Sequence, residues 1–146
     1  MFARALITER DNALRELMLD VLRKAEYDVR ECSTALDLEL ELRSLYLAAD
    51  CVLFVLNADV AAACLGELSL VASARSSAGL ARAQVIYTCE FGALRQPPDL
   101  GGCDLAGLFE KPFDLDELGR VARACRAPFV PRWAASLHTK GSGGRG

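Results

Sequence analysis

The residues of this chain best suited to hold a metal or attack a bond are Cys32, Cys51, Cys64, Cys89, Cys103 and Cys125, with one histidine, His138. Their spacing argues against both roles. No two cysteines stand as C-x-x-C, and His138 is remote in sequence from all of them, whereas a zinc site needs clustered Cys/His ligands. The cysteines lie in apolar segments and are expected as small core residues of a reduced, intracellular protein. The chain has no glycine-rich phosphate loop and no nucleophile supported by His and Asp, so hydrolysis and redox catalysis are the least favoured readings and no enzyme is expected. The chain also carries a polar turn, Glu9-Arg10-Asp11-Asn12, and a Lys111-Pro112-Phe113 turn.

The elements that would position these groups centre on Asp50-Cys-Val-Leu-Phe-Val-Leu-Asn57. Its unbroken apolar run from Val52 to Leu56 fits a strand buried on both faces. Similar runs stand at Phe2–Thr8 and Gln84–Thr88, with helix-period segments between, and such alternation implies a parallel sheet covered on both sides. Chemistry in such a sheet sits at the carboxyl ends of the central strands. Where a reactive carboxylate would be expected at that edge, the chain has Val55.

In chain order, Asp11 or Asn12 is expected to cap a first helix on Leu14, Leu17, Met18, Val21, Leu22 and Ala25. Tyr27–Cys32 reads as an edge strand. Ser33 or Thr34 should cap a second helix running to about Ala49, with leucines 36, 40 and 47 among charges. Asp59 is placed as the cap of a third helix over Val60–Ser77. Pro97-Pro98 and Gly101-Gly102 oppose a helix interior, so any helix before the weak strand Leu105–Phe109 should be a single turn. Asp114 and Glu117 have capping-box spacing ahead of a last helix that ends near Ala127. The chain has 146 residues with 52% hydrophobic and 25% charged content, which suits one packed domain. Its net charge of −3 gives no pull toward nucleic acid or anionic membrane. No apolar run approaches the ~18 residues of a membrane span, and no signal peptide is evident.

Five strand–helix units ending in Phe109-Glu-Lys-Pro-Phe113-Asp-Leu-Asp-Glu-Leu118 resemble the receiver domain of bacterial response regulators. The opening Ala5-Leu-Ile-Thr-Glu-Arg-Asp-Asn-Ala-Leu-Arg-Glu-Leu17 is similar to the family's first strand, acidic turn and first helix. The resemblance spans residues 1–127 and leaves 128–146 as a C-terminal extension with a Gly/Ser-rich, disordered end. It implies an α/β, flavodoxin-like three-layer α/β/α sandwich with a five-stranded parallel sheet in order 2-1-3-4-5. It also implies phosphoryl transfer from a histidine kinase to an aspartate at the end of the third strand. There Mg²⁺ is held by acids following the first strand, and a Ser/Thr and a Lys bind the phosphate.

The carry-over to this sequence is partial. Glu9 keeps one acid, but Arg10 puts a permanent cation in place of the other. The acceptor position falls on Val55 or, with the register moved by two, on Asn57, and neither forms an acyl phosphate. Thr88 matches the switch hydroxyl and Lys111 the phosphate-binding lysine. Leu108 stands at the aromatic switch position beside Phe109, and Pro112 should follow a cis bond. A unit cation 4 Å from Arg10 would be repelled by about 4 kcal/mol, doubled for Mg²⁺. Mg²⁺ binding is therefore expected to be weak or absent, with Glu9 and Asp11 the weak candidate ligands and no other cofactor. Arg10 is expected to pair with Glu9, Asp11 or Asp59 instead.

The resemblance thus implies a pseudo-receiver: a cytoplasmic, bacterial module of a two-component, phosphorelay type of system that lacks the phosphoacceptor Asp. Its expected partner is another signalling protein (a histidine kinase, regulator or output protein) or a second copy. In the family, the face of the fourth helix, fifth strand and fifth helix usually carries such contacts; here the weak fourth helix is expected to reshape it, leaving the first-helix face as the other choice. Alternatives are an anion or small-ligand sensor using Arg10, Thr88 and Lys111, or a receiver phosphorylated on a displaced Asp59. Lys111 is open between anion ligand and a partner for Glu9, whereas Thr88 is expected to satisfy local backbone groups. Cys89 is expected in the core rather than as a thiol activated by Lys111. Trp133, with Phe129 and Val130, is expected to fold back onto the domain, and His138 to be solvated.

Overall fold

The computed structural model describes residues 3–45, 51–93, 96 and 98–126. The expectations for Phe2, Ala49, Asp50, Pro97, His138 and the segment from Ala127 onward lie outside the described residues. The elements are β1 (Ala3–Ile7), α1 (Asn12–Lys24), β2 (Tyr27–Glu31), α2 (Ala35–Leu45), β3 (Cys51–Asn57), α3 (Ala58–Ala63), α4 (Leu65–Ser77), β4 (Gln84–Cys89), β5 (Asp104–Glu110) and α5 (Leu115–Arg126). All strand pairs are parallel, in the order β2-β1-β3-β4-β5. This is the flavodoxin-like sandwich.

β3 is buried at every residue because it lies at the centre of the sheet with helices on both faces. On one face α1 and α5 bury Met18, Leu19, Leu22, Leu118 and Ala122 against Ile7, Val55, Ile86 and Phe109. On the other, Leu38 and Leu42 of α2 and Leu68 and Val71 of α4 pack on Leu6, Phe54, Leu56 and Val85. One helix stripe differs from expectation: Leu17 is exposed and Leu19 takes its place in the core. Apolar residues are frequent around α1, so periodicity alone does not choose between adjacent stripes. In α2, Leu36 and Leu40 lie outward among the charges, and Leu38 and Leu42 point inward.

Caps set the helix starts. Asp11 accepts from Leu14 N at 3.1 Å and Thr34 Oγ1 from Asp37 N at 3.1 Å. The expected cap at Asp59 is corrected: Asn57 Oδ1 accepts from Val60 N at 3.0 Å, so the helix begins directly at the end of β3. The single helix expected over Val60–Ser77 is two, parted at Cys64, whose ψ of 22° leaves the helical range. Asp114 accepts from Asp116 N at 2.8 Å, one residue nearer than a capping box would place it.

The fourth unit departs furthest from the pattern. Among the described residues between β4 and β5 there is no helix. Gly101 and Gly102 have φ of 64° and 101°, a region that excludes most side chains. A Cβ on Gly101 would lie 2.8 Å from the backbone nitrogen of Ser69, so this segment runs tightly against α4.

Candidate functional site

The carboxyl edge of the sheet brings Glu9, Asn57, Thr88 and Lys111 to one side of the molecule. Thr8, which sequence reasoning passed over, fixes the first of these. Its N–H donates to Val55 O at 2.9 Å and its Oγ1 accepts from Asn57 N at 3.2 Å. The β1–β3 ladder is thereby carried past the end of β1, and Glu9 is held at the sheet edge.

The Glu9 side chain is fully buried. Its Oε2 accepts from Asp11 N at 2.9 Å and from Lys111 Nζ at 2.9 Å, while no protein group bonds Oε1. A buried carboxylate is costly unless paired, and Lys111 supplies the pairing. Lys111 leaves β5 with its N–H donating to Cys89 O at 2.8 Å, and its ammonium also meets Glu90 at 3.3 Å. Burial works against that ammonium's charge, but Glu9 and Glu90 outweigh it and raise its pKa above the ordinary 10.5. The question left open for Lys111 is thus answered in this structure: it pairs with Glu9. The bond between Lys111 and Pro112 is cis.

Of the two candidate acceptor positions, Val55 is inside β3, opposite Ile7 and Ile86 and fully buried in the core. Asn57 is the strand's last residue and stands opposite Thr88 in register. Its side-chain oxygen is occupied as the α3 cap. Thr88 is also fully buried, and no protein group bonds its hydroxyl. The expectation that it satisfies local backbone groups is therefore corrected.

Arg10 takes one of the partners expected for it, Asp59, at 3.6 Å; both side chains are mostly exposed. Facing outward, its charge is screened by solvent, and the repulsion estimated for a close-lying ion does not apply at full strength. Asp11 is committed to capping α1. Glu9 binds Lys111, Asp11 caps and Arg10 is a cation facing outward, so the donors do not fit a hard divalent cation that needs several oxygens. Among the described residues no group of three or more His, Cys, Asp or Glu side chains is placed to hold a metal.

Cys89 is buried, and burial, then Glu110 and Glu90, raise its thiol pKa. Lys111 does not activate it. Leu108 is part-exposed, whereas Phe109 is buried and its ring lies 5.5 Å from that of Phe113. Arg15, another residue that sequence reasoning missed, ties the turn to its surroundings through Glu9 O at 2.9 Å, Asn12 Oδ1 at 2.7 Å and Glu31 at 3.2 Å. Its position one helical turn into α1 was the available signal.

No protein-family model and no curated protein matches the sequence. Solved structures match it in fold. The N-terminal domain of a response regulator/sensory box/GGDEF three-domain protein from Carboxydothermus hydrogenoformans gives a TM-score of 0.59 at 13% identity, covering 85% of this chain and 94% of that one. An orphan response regulator of H. pylori gives 0.58 at 16%, covering 84% and 95%. NtrX from Brucella abortus gives 0.64 at 17%, covering 99% of this chain but 29% of that one. The chain has the fold of response-regulator receiver domains. Among the described residues no helix is long and apolar enough to cross a membrane.

Proposed function

We propose that this chain is a receiver-like signalling module that is not phosphorylated and acts by contact with another signalling protein or a second copy, in a bacterial cytoplasm. The observation that carries this reading is the chemistry at the end of β3. Asn57 stands there as a helix cap and Val55 is sealed in the core, so no acyl phosphate can form at either. The Glu9–Lys111 pair supports it, since an internal ammonium takes the place of a metal beside Glu9. Mg²⁺ binding is accordingly weak or absent, and the module's output is a surface rather than a reaction. The receiver fold of the solved relatives is consistent with such a role.

Acetyl phosphate with Mg²⁺, followed by intact-mass measurement, tests the reading. The mass should stay unchanged. Gain of one phosphoryl group would overturn it, and loss of that gain in Asp59→Asn would assign the displaced acceptor. One observation favours a second reading, an anion or small-ligand sensor: the buried Thr88 hydroxyl that no protein group bonds. That sensor would have to draw Lys111 from Glu9 and Glu90. A phosphate-dependent rise in Tm that disappears in Thr88→Val would support it, and no rise with phosphate or nucleotides would remove it.

A further inference from the structure

Between α2 and α4 lies a groove of about 620 Å³ that shares no residue with the Glu9–Lys111 site. Its origin is local. The two helices meet through Leu38, Leu42, Leu68 and Val71, which fill the space next to the sheet. Farther out, Glu67, Leu70, Ala74 and Ser77 follow one another at helical spacing along one flank of α4 and line the groove. The side chains at 74 and 77 are too small to close the gap. Leu42 and Val71 are fully buried and form an apolar floor, whereas Leu70 is 60% exposed on the lip. Small-molecule sites are mostly apolar concavities of ~300–1,000 Å³, and this groove falls within that range.

The charges of the groove are gathered in one cluster. Among the described residues that line it, only Arg43 and Glu67 are ionic. Arg43 Nη2 reaches Glu39 Oε1 at 2.9 Å and Glu67 Oε1 at 3.4 Å, so one guanidinium serves two carboxylates. A negative charge is left over. The carboxylates are part-shielded, with side chains 33% and 17% exposed, so a cation beside them is attracted more strongly than in open water. An anion would have to displace a carboxylate from Arg43, whereas a cation joins the cluster and balances it.

We propose that this groove is a binding site for a small organic cation, a primary amine carrying an apolar body. The apolar body lies on Leu42 and Val71 under the lip formed by Leu70. The ammonium sits at the Arg43 end, where it donates to Glu67 and supplies the second cation that Glu39 and Glu67 lack. Size, apolar floor and surplus carboxylate select this ligand class together. The floor alone would accept any apolar molecule, and the carboxylates alone would hold any cation. Occupancy ties α2 to α4 and stabilises the folded chain by mass action.

Titration of the full chain with n-octylamine and n-octanoate at neutral pH tests the proposal, because the two probes share a tail and differ in the sign of the head. Backbone amide NMR should show saturable shifts with octylamine centred on Leu42, Glu67, Leu70 and Ala74. Octanoate should bind about tenfold more weakly. Glu67→Gln removes the surplus charge and should bring the two affinities together, while Ala74→Phe fills the groove and should abolish binding. Arg10→Ala, remote from the groove, should leave octylamine binding unchanged. Far-UV circular dichroism identifies a variant that fails to fold; if Ala74→Phe does so, Ser77→Phe decides. Octylamine shifts that do not saturate or lie elsewhere would overturn the proposal, as would equal binding of octanoate or a folded groove-filling variant that still binds. Saturable shifts in the groove with an amphipathic Leu/Lys peptide, and none with octylamine, would also overturn it and assign the groove to a partner helix.

Discussion

Two ion pairs flank the same edge of the sheet and differ in almost every physical respect. Lys111 meets Glu9 at 2.9 Å with side chains 19% and 0% exposed; Arg10 meets Asp59 at 3.6 Å with side chains 73% and 70% exposed. Arg10 is the more conspicuous change in the sequence, since a cation stands where the receiver resemblance implies an acid. The buried pair carries more weight in the structure. A carboxylate removed from water must be compensated, whereas an exposed pair gains little over hydration. The resemblance singles out both cations, but burial decides which one shapes the site.

Removing Lys111 should therefore have the largest effect. Lys111→Met leaves Glu9 buried and unpaired, and urea unfolding should show a loss of about 3 kcal/mol, toward the low end for a buried pair because Lys111 keeps some solvent contact. The pH dependence has a definite sign. The folded pKa of Lys111 is raised, so its contribution is fully present below the ordinary 10.5 and is lost as pH rises through the folded value. The penalty of Lys111→Met should then be the same at pH 7 and pH 9 and shrink only at more alkaline pH. Thr88→Val should act in the opposite direction. It deletes a buried hydroxyl that no protein group bonds, at nearly constant shape, and should stabilise by about 1 kcal/mol in thermal unfolding. Arg10→Ala should have the smallest effect, within about 0.5 kcal/mol of wild type at low salt and vanishing at 1 M salt. A large Arg10 effect would erase the contrast between the two pairs.

The parallel sheet was readable in the apolar runs of β1, β3 and β4, whereas the strand order came from the receiver resemblance carried by the Lys111-Pro112-Phe113 turn. The tightness of the connection before β5 was readable too, in Gly101-Gly102. Positions that depend on a third dimension were not. That Asn57 stands at the end of β3 and Val55 inside it rests on pairing with Thr88 and on the Thr8 hydroxyl, contacts between residues distant in the chain. Asn57 is also the cap that Asp59 was expected to be, although either residue type caps well. Leu17 and Leu19 are equally apolar, and packing against α5 and the sheet chooses between them. Thr88 and Lys111 were found by resemblance alone. That Thr88 lacks a protein partner while Lys111 has two carboxylates could only come from the folded geometry.

The Glu9–Lys111 pair is most directly tested by a double-mutant cycle combining Glu9→Gln with Lys111→Met, read by urea unfolding at neutral pH. If Lys111 is the internal counter-ion of Glu9, the double variant should be less destabilised than the two single losses summed, with a coupling of about 2 kcal/mol. Additive losses with no coupling would show that the two groups do not act as a pair, and would contradict an internal cation at this edge of the sheet.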